Sequence, residues 1–313
     1  MAAGRGDGVY RLGLWLRLAR APYVVLAIAP ILVGTAYALY DAYELRLVPL
    51  VLALLGGATL FLGAMTIVAI LEITLGREPL MENDSSRAQG PEVIGAGLVS
   101  LPEAAGVGAT FLAVALVCGA LLVRPVGSFA IGLGFAGLMI AIFYGVPGVG
   151  LRDLGHGLPQ LAAFAGLGLV PVLGGYAAQS GSFTVGAALA SLPLGFYGAA
   201  LAYLHDVHRF SRDPEGASTS IVAILGQDQA RLGMWLLPIF AYLAIAVNVA
   251  LGEYPRAAWS AFATAPILAF GLSRLDAGDE AACAGLTRMT AILCATTGAI
   301  IAVAIAAAGA RAT

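Results

Sequence analysis

Long uninterrupted apolar runs constrain this chain more than any other feature of its sequence. A helix needs about 20 apolar residues to cross the hydrocarbon core of a bilayer. Nine runs have roughly that length, at 21–40, 47–71, 104–123, 126–145, 158–178, 184–204, 232–251, 257–273 and 289–309. The runs lack the short alternating pattern of a transmembrane β-barrel. They therefore predict an all-α, polytopic membrane protein with nine transmembrane helices.

Composition supports the same class. Of the 313 residues, 60% are hydrophobic and 11% are charged, whereas a soluble domain carries about 25% charged residues. So little polar surface cannot cover a water-soluble fold, which excludes a soluble enzyme, a nucleic-acid-binding protein and a disordered chain. No linker interrupts the pattern, so residues 21–313 are expected to form a single transmembrane domain. Residues 1–20 place arginines among leucines and Trp15, which predicts an interfacial amphipathic helix.

The arginines predict the orientation of the chain. All 16 basic residues are arginines, and if nine runs cross the membrane, twelve lie on the side of the N-terminus and four on the other. Arginine-rich loops remain in the cytoplasm. We therefore expect an integral protein of the bacterial inner membrane, with its N-terminus in the cytoplasm and its C-terminus outside.

Two charged loops, at 72–103 and 205–231, lie on the predicted cytoplasmic side. Asp206 and Asp213 are seven residues apart, so on a continuous helix they share a face, with Arg209 between them. Carboxylates at the end of a membrane bundle are costly unless they are paired, hydrated or bound to metal. The residues alone leave two interpretations equally open. One is a diphosphate site with Mg²⁺ on the carboxylates and arginine on the phosphates, and the other is a set of salt bridges within the loops.

Histidines and tyrosines near these loops also have more than one interpretation. His205 and His208 flank Asp206 and could bind a transition metal, act as a general base for an acceptor, or make ordinary hydrogen bonds in a loop. Four tyrosines could stabilise a carbocation in an apolar tunnel or belong to the aromatic belt of the membrane interface. They are Tyr144, Tyr176, Tyr197 and Tyr203.

Six segments between about residue 14 and residue 226 occur in an order and at a spacing that a known family shares. They are 18–22, 29–35, 144–147, 172–181, 191–195 and 220–226. In these segments the chain resembles the UbiA superfamily of intramembrane prenyltransferases, and most closely the 1,4-dihydroxy-2-naphthoate prenyltransferases of menaquinone synthesis. The resemblance implies a nine-helix bundle that transfers a prenyl group from an allylic prenyl diphosphate to a hydroxynaphthoate-like or hydroxybenzoate-like acceptor, with Mg²⁺ as cofactor.

The first Asp-rich motif of that family is only partly present in this chain. The family has Asn-Asp-x-x-Asp followed by a third Asp, and these positions fall on Thr74, Leu75, Glu78 and Asp84. The last two positions are therefore still acidic. A shifted register would offer Glu72 instead, close to the membrane end of the second span.

The second motif has lost its middle acid. His205, Asp206, Arg209 and Asp213 stand where the family has Asn and three Asp, and Ser218 stands where a lysine is common. By resemblance, the candidate metal ligands are Asp84, Asp206 and Asp213, and Glu78 joins them as a candidate catalytic residue. Arg209 would replace a lost cation by contacting diphosphate directly.

The resemblance also implies a substrate-binding set and a set of partners. The substrate-binding candidates are Arg77, Arg87, Arg209, Arg212, His205, His208 and Tyr144. The expected partners are a prenyl diphosphate, an aromatic or lipid-like small molecule and membrane lipid, with no nucleic acid and no protein partner indicated. Two alternatives keep the fold: a UbiA-type terpene cyclase or specialised-metabolite prenyltransferase, and a catalytically inactive homologue that binds an isoprenoid or lipid.

Overall fold

A computed structural model of the chain describes residues 3–75, 88–146, 148, 150–212, 218–273 and 280–309, and within these ranges every regular element is helical. The α-helices are α1 (Ala3–Leu18), α2 (Val25–Tyr40), α3 (Leu47–Thr74), α4 (Pro91–Gly95), α5 (Leu101–Val126), α6 (Ser128–Gly145), α7 (Leu151–Leu154), α8 (Leu158–Phe164), α9 (Val170–Ser180), α10 (Val185–Arg212), α11 (Ile221–Leu225), α12 (Gln227–Leu251), α13 (Ala265–Ser273) and α14 (Glu280–Gly309). Helices dominate because hydrocarbon offers no hydrogen-bond partners, so each backbone segment must satisfy its own polar groups. The fold class expected from the sequence is confirmed.

The number of continuous spanning helices differs from the sequence prediction. In the described part of the chain, eight helices are long and apolar enough to cross a membrane. The run at 257–273 is instead a 3₁₀-helix, Arg256–Thr264, followed by α13. Pro255 precedes this segment, and the Thr264 hydroxyl donates to the Ala261 carbonyl at 2.7 Å, across one tight turn. The 3₁₀-helix and α13 together have a length of about 30 Å along their axes. The ninth expected span therefore consists of two helices of different type.

Helix α10 lies at the centre of the bundle and packs against α2, α8, α12 and α14. Its neighbours approach closely where glycines leave room. A Cβ atom on Gly34 of α2 would collide with the Val172 carbonyl of α9, and a Cβ atom on Gly175 would collide with the Ile31 carbonyl. Such small-residue contacts are typical of helix packing in membranes, where burial from water does not drive association.

The fifth span has an irregular centre. It consists of α8, a π-helical turn at Ala165–Leu169, and α9. Gly168 in this turn lies against the backbone of Gly195 in α10. The π turn therefore joins two stretches of one span, and the stretch before it begins at the end of the bundle where the charged loops lie.

The N-terminal helix α1 packs onto the bundle. Leu14 and Leu18 are buried together with Val93 and Val99, and the Trp15 indole donates to Glu103 at 2.9 Å. The chain then turns at Arg20, which adopts a left-handed conformation with φ 51°. This turn brings the start of the first span close to the segment that follows the first charged loop.

Candidate functional site

Polar side chains from several helices meet at the end of the bundle where the two charged loops begin. Glu72 stands at the end of α3, Tyr144 at the end of α6, and Asp206 near the end of α10. The short helix α7 and the first turn of α8 fill the space between them. The charged loops are far apart in the sequence, but the fold brings their first residues to one place.

Asp206 is the most buried acid of this site. Its side chain is 1% exposed, and Gln160 Nε2 of α8 donates to its Oδ2 at 2.8 Å. Asp206 Oδ1 and Gln160 Oε1 find no hydrogen-bond partner among the described residues. Because buried polar atoms nearly always have a partner, these two oxygens are available to a donor or a cation.

Glu72 forms a buried ion pair. Its Oε1 lies 2.7 Å from Arg152 Nη1 of α7, and the two side chains are 12% and 10% exposed. Arg152 Nε, on the same guanidinium, has no hydrogen-bond partner within the described ranges. Glu72, which the shifted register of the first motif proposed, therefore lies at the site with its charge already compensated by Arg152.

Arg209 contacts α7 through charge and through the backbone. Its Nη2 lies 3.3 Å from Asp153 Oδ1, and its Nη1 donates to the Arg152 carbonyl at 3.3 Å. Asp153 Oδ2 accepts a hydrogen bond from the Gly148 amide at 2.7 Å. The guanidinium that stands in place of a family acid thus fixes α7 against α10, and its expected contact with diphosphate stays a prediction.

The second charged loop is tied to the same short helix through Thr219. Thr219 Oγ1 donates to the Asp153 carbonyl at 2.8 Å, and the Thr219 carbonyl accepts from the His156 amide at 2.9 Å. A Cβ atom on Gly155, where φ is 63°, would collide with that carbonyl. The close contact requires glycine, so the backbone around α7 is held in one conformation.

Tyr144 and Arg20 complete the described part of the site. Tyr144 lies close enough to Asp206 and Arg20 to interact with the charges of both. The Arg20 side chain packs against Gly90, where a Cβ atom would lie 2.7 Å from Nε. Arg20 therefore adds a positive charge near the site, and the N-terminal segment contributes to the site as well as to packing.

Other predicted residues lie elsewhere or are only partly placed. His205 and His208 are half-buried on α10, on either side of Asp206 in the sequence, and both make contacts. Tyr176 and Tyr197 are buried and hydrogen-bonded away from the site, to Asp41 and Tyr242 respectively, which indicates a structural role. Tyr203 is also buried, its hydroxyl donates to the Ala230 carbonyl, and it lies close enough to Asp206 to interact with its charge. Arg77, Glu78, Asp84, Arg87 and Asp213 lie outside the described residues, as does the side chain of Arg212.

Metal binding was predicted for Asp84, Asp206 and Asp213, and of these only Asp206 is described. Across the described ranges, no three His, Cys, Asp or Glu residues group as a metal site. The free Oδ1 of Asp206 is a hard oxygen of the kind that Mg²⁺ prefers. The described residues therefore fit one protein ligand of such an ion.

Besides Arg20, three residues of this site were missed by the sequence analysis: Arg152, Asp153 and Gln160. The local sequence contains only a weak indication that these residues are functional. Arg152 and Asp153 form a charged pair within the short connection between two apolar runs, and Gln160 is a polar residue at the start of an apolar run. Nothing in their local spacing indicates contacts with Glu72, Arg209 or Asp206, because those contacts join residues far apart in the chain.

Solved structures of similar fold cover nearly the whole chain. A UbiA homologue from Aeropyrum pernix K1 is 20% identical, with 91% of this chain and 97% of that chain covered and a TM-score of 0.64. A UbiA homologue from Archaeoglobus fulgidus, bound to GPP and Mg²⁺, is 17% identical, with 92% and 99% covered and a TM-score of 0.63. A digeranylgeranylglyceryl phosphate synthase is 14% identical, with 95% and 99% covered and a TM-score of 0.65.

Comparison of sequences gives the family. No curated protein matches the chain at a significant level. The model of the UbiA prenyltransferase family matches residues 27–293, which is most of the chain and includes the described part of the site from Glu72 to Thr219. The chain therefore belongs to the UbiA prenyltransferase family.

Proposed function

We propose that this protein transfers a prenyl group from an allylic prenyl diphosphate to an aromatic acceptor of the hydroxynaphthoate or hydroxybenzoate class, as in menaquinone-type biosynthesis. The family supports the reaction class. The Archaeoglobus fulgidus homologue, which binds GPP and Mg²⁺, supports the donor. The proposed location is the bacterial inner membrane, with the site at its cytoplasmic face.

One observation carries the proposal. Arg152 Nε is a buried donor without a described partner, and Asp206 Oδ1 is a buried acceptor without one, at the same end of the bundle. A single ligand that presents an anion to the arginine and a cation to the carboxylate satisfies both. A prenyl diphosphate with Mg²⁺ has both parts, since Mg²⁺ shares its coordination between carboxylates and phosphate oxygens.

The proposed metal ligands are Asp206, through Oδ1, together with Asp84 and Asp213 from the loops. Gln160 holds Asp206 through its other oxygen, which leaves Oδ1 directed to the ligand. When bound, Mg²⁺ would stabilise the negative charge that develops on the leaving diphosphate. Arg152 would add a fixed positive charge for the same group.

The remaining residues would guide the prenyl cation to the acceptor. The C–O bond to diphosphate breaks, the aromatic carbon of the acceptor forms the new C–C bond, and the ring proton passes to a base. His205 and His208, on either side of Asp206 in the sequence, are the candidate bases. Tyr144 offers a π face near the reacting carbon, and the apolar walls of the bundle exclude water from the cation.

A second candidate is a homologue that binds an isoprenoid or lipid without turnover. The observation in its favour is that two acids of the site, Glu72 and Asp153, are already paired with Arg152 and Arg209. Fewer carboxylates are then available to a metal than in the family pattern. A terpene cyclase is a third outcome, since it would ionise the same diphosphate but close the chain on itself.

Purified protein in lipid nanodiscs, incubated with Mg²⁺ and radiolabelled prenyl diphosphates of several lengths, separates these functions. Prenylated hydroxynaphthoate or hydroxybenzoate supports transfer, and a cyclic hydrocarbon without acceptor supports cyclisation. Prenyl diphosphate that binds but is neither transferred nor cleaved supports the inactive homologue and contradicts the proposed reaction.

Asp206→Asn tests the metal-binding part of the proposal. The new amide can accept from Gln160 Nε2 and donate to Gln160 Oε1, so folding should be retained. Turnover should fall by about 10²–10³-fold, the range seen when one charge-stabilising group is lost. Asp41→Asn is the matched control, because Asp41 accepts a hydrogen bond from Tyr176 at 2.9 Å, outside the site. Turnover that survives Asp206→Asn, or that EDTA does not reduce, would contradict the metal-dependent mechanism.

A further inference from the structure

An apolar groove runs along the outer face of α14, where α13 and the preceding 3₁₀-helix pack against it. Its volume is about 440 Å³, within the range of roughly 300–1,000 Å³ typical of small-molecule sites. On α14 it is lined by residues that recur every three or four positions: Gly285, Arg288, Met289, Ile292, Leu293 and Thr296. Thr264 and Ile267 form the opposite wall. The groove therefore lies parallel to the helix axis, as an extended hydrocarbon chain would.

Arg288 is the one charged residue among those that line the groove, and its side chain is exposed. It makes no ion pair or hydrogen bond with any described residue. The positions one turn away on α14 are Ala284, Gly285, Ala291 and Ile292, so no acid lies one helical turn from Arg288. An arginine without a described partner at an apolar groove can bind an anion from outside the chain.

The position of Arg288 along α14 matches the level of lipid phosphates. It is the fourth residue of the apolar stretch Gly285–Gly309, about 5 Å from its start, and a long arginine side chain extends toward the headgroups. Thr296 is eight residues further on, so the groove reaches about 12 Å into the hydrocarbon. The other end of α14 lies beside Leu39 and Tyr40, on the opposite side of the bundle from the charged loops.

We propose that this groove binds an anionic phospholipid, with the phosphate on Arg288 and one acyl chain along α14 toward Thr296. A basic residue between spanning helices at the cytoplasmic side is a recurring way to bind anionic headgroups. The proposed site is separate from the one at Asp206 and does not depend on catalysis. Its occupant is a lipid of the surrounding bilayer, which would fill a surface that the protein leaves unpacked.

Native mass spectrometry of the full chain, titrated with phosphatidylglycerol or phosphatidylcholine of identical acyl chains, tests the proposal without any turnover. The wild type should retain phosphatidylglycerol more strongly. Arg288→Gln should lower phosphatidylglycerol affinity about tenfold, the scale of one charge-assisted contact, and Arg288→Lys should keep most of it. Gly285→Leu should weaken both lipids, since a Cβ atom on Gly285 meets open space and the larger side chain would fill the groove without disturbing the fold.

Matched controls use the same substitutions elsewhere. Arg124→Gln removes an exposed arginine at the end of α5, and Gly119→Leu fills open space beside the same helix, so neither should change lipid retention. Equal retention of both lipids by wild type and Arg288→Gln would overturn the proposal. If geranylgeranyl diphosphate, and not phosphatidylglycerol, loses affinity in both groove variants, the groove holds an isoprenoid substrate and the lipid assignment is wrong.

Discussion

Breaking the ion pair between Glu72 and Arg152 should destabilise the bundle strongly, whereas replacing both partners should not. The two side chains are about one-tenth exposed and their charged atoms lie 2.7 Å apart. Removing one partner from a buried pair leaves an uncompensated charge, which costs about 3–5 kcal/mol. Replacing both with apolar residues of similar size is often neutral or stabilising. We therefore expect Arg152→Met to be severe and Arg152→Met with Glu72→Leu to be mild.

The assay is unfolding of the purified protein in mixed micelles with increasing SDS, followed by circular dichroism. Arg11→Gln is the control, because Arg11 is 65% exposed and lies 3.4 Å from Glu103, and such surface pairs contribute about 0.2–1 kcal/mol. Arg152→Met should lower the free energy of unfolding by several times that amount. A loss below about 1 kcal/mol, or a double variant as unstable as the sum of the two single variants, would refute the reasoning.

The same double variant separates structure from function. It should fold, but it lacks the guanidinium whose Nε is available to a ligand. Its affinity for a prenyl thiodiphosphate should therefore fall about tenfold, as expected for one charge-assisted contact to phosphate. Unchanged affinity in a folded double variant would show that Arg152 serves the fold alone.

Three further outcomes are expected. Arg209→Asp should remove the ion pair with Asp153 and make prenyl diphosphate binding depend more steeply on Mg²⁺, as titration calorimetry would measure; an unchanged Mg²⁺ dependence contradicts this. A reporter fused after Thr313 should read as non-cytoplasmic, because the arginine distribution places the C-terminus outside, and a cytoplasmic signal would reject that orientation. Gly34→Ala should cost about 1–3 kcal/mol by forcing α2 away from the α9 backbone, measured by SDS unfolding. Gly174→Ala, where a Cβ atom meets open space, should leave stability the same or slightly higher.

The spanning helices were predictable because each apolar run carries its own signal. Eight of the nine runs correspond to continuous helices, since a run that must satisfy its backbone in hydrocarbon has little choice but to form a helix. The run at 257–273 contained the same apolar signal, but hydropathy does not distinguish a 3₁₀-helix from an α-helix. The sequence predicted the position of that segment along the chain and not its geometry.

The site was predictable only in part. Asp206 was identified by its motif, and its burial and its free oxygen are consistent with the proposed role. Its partner Gln160 is 46 residues away, and the Arg209 contact with Asp153 likewise joins distant segments. Spacing along one helix relates Arg209 only to Asp206 and Asp213, of which Asp213 lies outside the described residues, and it gives no sign of Asp153. Contacts between helices depend on how the bundle packs, which no local pattern records.

The π turn at Ala165–Leu169 sets the rotational phase of the fifth span. Each residue of a regular helix advances the side chain by about 100°, and a π turn commonly accommodates one additional residue. Without the additional residue, helix α8 would be rotated by about 100° relative to α9. Gln160 could then not face Asp206 while Gly175 faces α2. The additional residue of the π turn is thus enough to direct the Gln160 amide at the buried carboxylate, so the length of this span, and not only its chemistry, determines the geometry of the site.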